Sequence, residues 1–349
     1  MTARFPRLRW TGTILNHTTS VAVVGAGAFG RNHARVYHEL AQQDPSLKLA
    51  AIVDSDPARA EAVASAYQAR AYASLDQLIG GEKVTAASVA VPTIQHLAVA
   101  SRLMEAGVDV LIEKPLAASL DEADKLVALA QRTGSIGQVG HLERFNPAVR
   151  ATLPLITQPM FFEVHRLSVF TPRSLDVDVV LDLMIHDLDV VLAFVNSPVK
   201  EIRAVGLPIL SRKVDIANVR MGFDSGCVAN LTASRVSTER VRKLRFFQPG
   251  QYVSIDYGRQ DVILFSVGGA GGPSATPSVN PQISMTKPPV VAEEPLHAEL
   301  KSFLGCVRRR STPLVSLEEG RRALAVAFEI VTAMAAHSHE FQLERLRKT

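Results

Sequence analysis

The sequence predicts an α/β fold: a doubly wound parallel sheet over the first 146 residues or so, then a C-terminal α+β part with an open-faced, mainly antiparallel sheet. Three observations predict it. VAVVGAGAFG (21–30) runs from four apolar residues straight into a glycine-rich turn and then a helical pattern. Strand-like and helix-like segments alternate from there to about residue 146, as they do where crossover helices join parallel strands. From residue 160 the rhythm changes to short strand-like runs separated by turn residues, which is how antiparallel sheets read.

The turn Gly25-Ala26-Gly27-Ala28-Phe29-Gly30 has the GxGxxG spacing in the strand–turn–helix setting that dinucleotide binding needs. Gly25 permits the sharp turn, Gly27 lets a pyrophosphate approach the backbone, and Gly30 lets the helix pack on the strand. Ala28 and Phe29 belong to that turn, and the helical pattern that follows from Arg31 turns its free N–H groups and positive dipole end to the phosphates. LKLAAIVD (47–54) is the second strand and ends in Asp54, spaced to bond the adenosine ribose hydroxyls. Asp54 would repel a 2′-phosphate, and Ser55 is not the arginine that NADP favours, so NAD is the expected cofactor rather than NADP.

Further along, 57–68 reads as a helix with Pro57 in its first turn. VTAASVAV (84–91) is a buried strand and 94–107 a helix closed by Gly107. VDVLIE (108–113) is a strand, 119–134 a helix with Ser119 and Glu122 as a capping box, and IGQVG (136–140) the next strand. Ligands of such sheets bind beyond the strands' carboxyl ends, where Pro92, Glu113-Lys114-Pro115 and His141 fall. A helix is predicted over 178–195, followed by six short strands, two of them joined by a hairpin at Asp224-Ser225-Gly226. Residues 267–290, rich in Gly, Pro and Ser, read as a long loop, and helices over 295–309 and 316–337 close the chain. The expected division is a leader (1–19, poorly ordered), a cofactor domain (20–146) and a substrate and oligomerisation domain (147–349).

A chain of 349 residues can hold two cores, and 47% apolar with 21% charged residues describes a folded protein. Net charge is only +4 with dispersed basic residues, which argues against nucleic acid as a partner. The basic runs Arg240–Arg245 and Arg308–Arg310 read as a solvated strand edge and a helix C-terminus. Cys227 and Cys306 lie far apart in apolar segments and read as buried thiols, which fits a cytoplasmic setting. Residues 1–20 lack the apolar stretch of a signal peptide. The span 177–195 is apolar, but Asp178, Asp182, His186, Asp187 and Asp189 argue against a membrane helix.

On a helical wheel, Asp178, Asp182, His186 and Asp189 form one stripe on an otherwise apolar helix. Such a stripe must line a cleft or be paired internally. Asp182 and His186 stand at i and i+4, so a carboxylate could orient the imidazole as a general base. The helix alone leaves a buttressing polar stripe equally open. Lys114 favours chemistry, because an ammonium at the strand end where nicotinamide lies can polarise a reacting C–O group and relay its proton. No metal is expected. His337 and His339, near a helix end, read as surface residues.

GAGAFGRNH, VPTIQH, LIEKPLAASLDEA, GHLERFNPAV and DLMIHDLD, in this order and spacing, resemble the Gfo/Idh/MocA oxidoreductases, and PLHAELKSFL followed by PLVSLEEGRRAL resembles that family's C-terminal pattern. The likeness covers about residues 20–335. It implies a Rossmann domain, an open-faced sheet domain, and C-terminal helices leaning back on the first domain. It also implies Lys114, Asp182 and His186 as the catalytic group, with Pro92, Thr93, His96 and Glu113 near the cofactor. Family members oxidise ring hydroxyls of sugars, inositols or nucleotide sugars, as dimers or tetramers joined through the open sheet. GHLERFNPAV with DVDVVLDLMIHDLDVVL is most similar to members that act on a UDP-sugar in lipid A precursor synthesis. A UDP-sugar needs cations for its diphosphate. Arg166 and Arg173 are candidates, with Arg144 and Asn146 from GHLERFNPAV also on the substrate side; surface charges on a strand edge are the competing reading of Arg166 and Arg173. A free-sugar or inositol dehydrogenase and a non-catalytic ligand sensor stay open as alternatives, although a sensor has no need of Lys114, Asp182 and His186.

Overall fold

The computed structural model describes residues 18–171, 177–268 and 282–341. The first sheet contains β1 (Thr19–Val24), β2 (Leu47–Val53), β3 (Arg70–Tyr72), β4 (Ala86–Val89), β5 (Asp109–Glu113) and β6 (Gly137–Gly140) in the order β3-β2-β1-β4-β5-β6. Every neighbouring pair is parallel. The crossovers carry α1 (Ala28–Gln43), α2 (Pro57–Ala66), α3 (Leu75–Gly81), α4 (His96–Glu105) and α5 (Leu120–Thr133). Alternate residues of β1 go to opposite layers: Val21 and Val23 pack in one buried cluster, Ala22 and Val24 in the other. A strand buried on both faces has no polar positions to alternate, which is why these strands read as continuous apolar runs.

The remainder begins with α6 (Pro147–Thr152) and β7 (Phe161–Leu167) and reaches α7 (Ile185–Val195). It continues through β8 (Val199–Leu207), β9 (Ile216–Phe223), β10 (Val228–Ser234), β11 (Val241–Gln248), β12 (Gln251–Asp256), β13 (Asp261–Gly268) and β14 (Gln282–Thr286). These strands form one sheet, β14-β13-β12-β11-β7-β10-β9-β8, antiparallel except where β7 meets β10. The chain ends with α8 (Pro295–Arg309) and α9 (Leu317–Glu340). Leu300, Phe303 and Leu304 of α8 join the cluster of Tyr37 and Leu40 from α1. The last helices thus return to the first sheet. Among the described residues no helix is long and apolar enough to cross a membrane.

Several expectations change. β3 and α3 lie in 70–81, a stretch too short and mixed to show a period. The long loop predicted over 267–290 holds β14 at 282–286, whose apolar Ile283 and Met285 alternate with polar residues and pair it with β13. The run Arg240–Arg245 is not a strand edge, because β11 lies inside the sheet between β12 and β7. Arg308 and Arg310 do end α8, and there pair with Asp44 and Asp109. The leader lies outside the described residues as far as residue 17, and Thr19 is already in β1.

One correction reaches the site. The helix predicted over 178–195 is wound as a π-helix over Val180–Met184 before α7 begins. Wider turns break the 100° wheel, so the expected stripe divides. Asp178 accepts from the Val214 backbone N–H, Asp182 turns to Lys114, and Asp189 is buried against Arg144.

Candidate active site

The cofactor side is made by the turn after β1. Gly25 has φ +97°, and a Cβ there would lie 2.5 Å from the Ala90 carbonyl oxygen. A Cβ on Gly30 would lie 1.7 Å from the Gly25 carbonyl oxygen, so the turn and the helix start interlock only as glycines. A Cβ on Gly27, by contrast, meets no protein within 4 Å. Gly27 is the N-cap of α1 and makes no side-chain cap, which leaves an open cradle of backbone N–H groups. Ala28 and the exposed Phe29 follow. These features fit a dinucleotide pyrophosphate.

Asp54 is buried at the end of β2. It accepts from the backbone N–H groups of Ala26 (2.8 Å) and Asp56 (2.9 Å), so it also fixes the glycine turn. Arg59 lies 3.5 Å from the same carboxylate. Arginine therefore does stand beside Asp54, five residues on in α2 rather than at position 55. His96 sits on the cofactor side of the crevice but inside the protein. Its ring lies between the carbonyls of Val91 (3.0 Å) and Pro115 (3.1 Å), bracing the loops after β4 and β5. Pro92 caps the short turn of Thr93–Gln95 that precedes α4 at the first of those loops.

Glu113 ends β5, Lys114 follows it, and the two point to different partners. His33 of α1 bonds Glu113 through Nε2 at 2.8 Å and Ser88 through Nδ1 at 2.9 Å, and Ser88 also meets the Tyr37 hydroxyl. Burial would raise the Glu113 carboxyl, but His33 and Lys114 outweigh it and hold the group low. Lys114 donates from Nζ to the Asp182 carbonyl oxygen at 2.7 Å, and its ammonium lies 3.6 Å from the Asp182 carboxylate. Burial lowers the Lys114 ammonium against the pull of Asp182 and Glu113. The contact falls within the π-wound turn, a winding that recurs at functional sites.

His186 follows at the start of α7. Its Nδ1 is buried without a hydrogen-bond partner, so Asp182 does not orient the ring through that atom as the helical spacing predicts. Asp182 holds Lys114 instead. Burial, then the charges of Lys114 and Arg166, push His186 well below its ordinary value. A neutral imidazole beside a desolvated ammonium can accept a proton while the ammonium polarises an oxygen.

The expected substrate cations are otherwise engaged. Arg166 is neither an edge charge nor a free one. It is buried on β7, bonded to Asp187 at 2.6 and 3.0 Å and to Glu143 at 3.1 Å, and lies over the Tyr257 ring. Arg144 is held by Asp189 (3.3 Å), Glu319 (3.4 Å) and the Leu314 carbonyl. Asn146 caps α6 and donates to Glu143 and the Tyr257 carbonyl. Arg173 lies outside the described residues. Glu143, Asp187 and His33 were all missed as partners; the His of GRNH, three residues after the last motif glycine, was the one local signal for any of them.

Residues 19–141 match the model of an oxidoreductase family with an NAD-binding Rossmann fold, Gfo/Idh/MocA, and residues 132–248 match that family's C-terminal domain. The chain belongs to the Gfo/Idh/MocA oxidoreductase family. It is 36% identical over 316 residues to UDP-N-acetylglucosamine 3-dehydrogenase of Acidithiobacillus ferrooxidans, covering 90% of this chain and 96% of that one. A solved structure of the A. ferrooxidans protein superposes with a TM-score of 0.83 at 34% identity, over 91% of this chain and 97% of the other. The scyllo-inositol 2-dehydrogenase (NAD+) of Bacillus subtilis is 26% identical, covering 86% of this chain and 90% of its own. In this Gfo/Idh/MocA chain Lys114 directly follows the strand β5 of the Rossmann sheet and reaches the π-wound turn, so the active-site candidates come from both matched parts.

Proposed function

We propose that this oxidoreductase is an NAD-dependent dehydrogenase of a nucleotide sugar, taking UDP-N-acetylglucosamine to its 3-keto form. One observation carries the chemistry: Lys114, at the mouth of the Rossmann sheet, is held by Asp182 four residues before a neutral His186. The overall likeness to the A. ferrooxidans dehydrogenase supports the choice of substrate. NAD, when bound along Gly25–Gly30 with its ribose at Asp54, supplies the hydride acceptor. Lys114 Nζ polarises the reacting oxygen, and His186 accepts the hydroxyl proton. Asp182 acts on the reaction through Lys114, fixing where the ammonium sits. His33 keeps Glu113 anionic behind it.

The protein is read as a cytoplasmic homo-oligomer. On the face of the second sheet turned away from α7, Phe161, Phe247, Tyr252 and Phe265 form a row across β7, β11, β12 and β13, with successive ring centroids 5.7, 4.9 and 5.5 Å apart. An apolar row of this kind favours a second copy. Val164, Leu231 and Val253 are buried on the opposite face. A monomeric mass by light scattering at micromolar concentration would count against the oligomer. The function is tested by adding NAD with UDP-N-acetylglucosamine, N-acetylglucosamine or inositol and following NADH absorbance. Turnover of the UDP-sugar is expected; turnover of only the free sugar or inositol would sink the nucleotide-sugar reading.

A further inference from the structure

We propose that Arg242 is the residue that selects a phosphate-bearing substrate, its guanidinium taking the diphosphate of the nucleotide sugar; this rests on the nucleotide-sugar reading above. β11 lies antiparallel to β7 with Arg242 opposite Arg166, Leu244 opposite Val164 and Phe246 opposite Phe162. Residues directly opposite in such a pair share a face. Arg166, Val164 and Phe162 are all buried, and Arg166 bonds Asp187, the residue after His186. Arg242 therefore stands on the face turned to α7, at the end of the sheet beside the reacting group.

The alternation along β11 separates the basic residues of this run. Lys243 and Arg245 lie on the other face and are answered there by Asp256 at 4.0 Å and Glu163 at 3.1 Å. Arg242 is exposed; its backbone carbonyl accepts from the Tyr257 N–H, but among the described residues no ion pair or hydrogen bond reaches its guanidinium. The nearby carboxylates Glu143 and Asp187 are both bonded to Arg166. Partial burial and the Arg166 charge depress the Arg242 guanidinium, and Arg242 in turn helps to lower His186. An exposed guanidinium with no bonded counter-charge, on the same face of the sheet as Arg166, attracts an anion from solvent. Guanidinium matches phosphate oxygens two at a time, which suits a diphosphate better than a neutral sugar hydroxyl.

The test titrates UDP into the NAD-loaded protein and into its Arg242→Gln and Arg242→Lys variants, with NAD affinity measured alongside as the check on folding. Loss of charged hydrogen bonds should weaken UDP binding by about 10–100-fold in Arg242→Gln, with Arg242→Lys intermediate and NAD affinity unchanged. The KM for UDP-N-acetylglucosamine should rise by a similar factor, with a much smaller change in kcat. Equal UDP affinity in the unmodified protein and Arg242→Gln would overturn the role of Arg242 and leave the nucleotide-sugar reading standing. If the unmodified protein binds no UDP, both fall.

Discussion

At the turn Gly25–Gly30 the site is made of backbone. No side chain caps α1, and the glycines are required where a Cβ would strike a carbonyl oxygen. Around α7 the site is made of side chains. Lys114 reaches Asp182, Arg166 spans Asp187 and Glu143, and Arg144 meets Asp189. The first construction suits a cofactor whose pyrophosphate needs only N–H groups. The second keeps charge buried, so each member depends on a partner from another element. The two walls should therefore fail differently when cut.

The largest effect is expected from Lys114→Met or His186→Ala. Either should lower kcat by about 10²–10⁴-fold, since each removes a group proposed to handle the proton, while NAD binding survives on the backbone turn. Because His186 is held neutral, the acid limb of kcat should lie below the ordinary histidine range rather than at about 6.5. Near-normal turnover by His186→Ala would show that the helix is a structural stripe. A fall in NAD affinity matching the loss of kcat would mean that the two walls are not separate.

Arg166→Met comes next and cuts the second wall away from the chemistry. It strands Asp187 and Glu143 in the interior, which typically costs about 3–5 kcal/mol. The midpoint in denaturant should drop accordingly. If instead stability holds and only KM for the sugar rises, Arg166 is a substrate cation after all and its carboxylates are incidental.

The same contrast explains how much could be read in advance. The Rossmann order, the glycine turn, Asp54 and Lys114 were legible because each is fixed by spacing within a few residues or by its place at a strand end. The partners of Arg166 and Arg144 lie 21, 23, 45 and 175 positions away, and only the packing of β7, the turn Leu142–Phe145, α7 and α9 against one another brings them together. The stripe on 178–195 misled for a different reason. Its logic assumed 3.6 residues per turn, and the π-wound stretch at Val180–Met184 rotates Asp182 toward Lys114. Arg242 hid among neighbouring cations until the sheet order showed β11 to be an internal strand.

A smaller effect is expected at Asp54, where the backbone wall does include a side chain. Asp54→Asn can still accept from the Ala26 N–H but no longer repels a 2′-phosphate, and it frees Arg59 to attract one. The proposed preference for NAD over NADP should narrow by about tenfold, roughly the value of one charged interaction. Comparing dissociation constants for both cofactors checks this. An unchanged ratio would place the selection elsewhere on the turn.

The smallest effect concerns pH, and it sharpens the comparison where the walls meet. His141 follows β6 and is buried with both ring nitrogens unpartnered, and burial, helped by Arg144 and Lys114, pushes it down to about 3. Unfolding returns the ring to an ordinary value near 6.5, so between about 6.5 and 3 the unfolded chain binds the extra proton. Stability carried by neutral His141 is complete above that window and is lost as pH falls through it. The loss approaches about 1.4 kcal/mol per pH unit, and is near that total one unit below 6.5. His141→Gln keeps a polar side chain without a titrating ring, so its stability should fall less steeply on acidification, whatever its stability at pH 7. Denaturant unfolding at several pH values, for the protein and the variant, gives the two slopes. Parallel slopes would mean that His141 is protonated in the folded protein, and that the charges of Glu113 and Glu319, which oppose the shift, reach it more strongly than burial does.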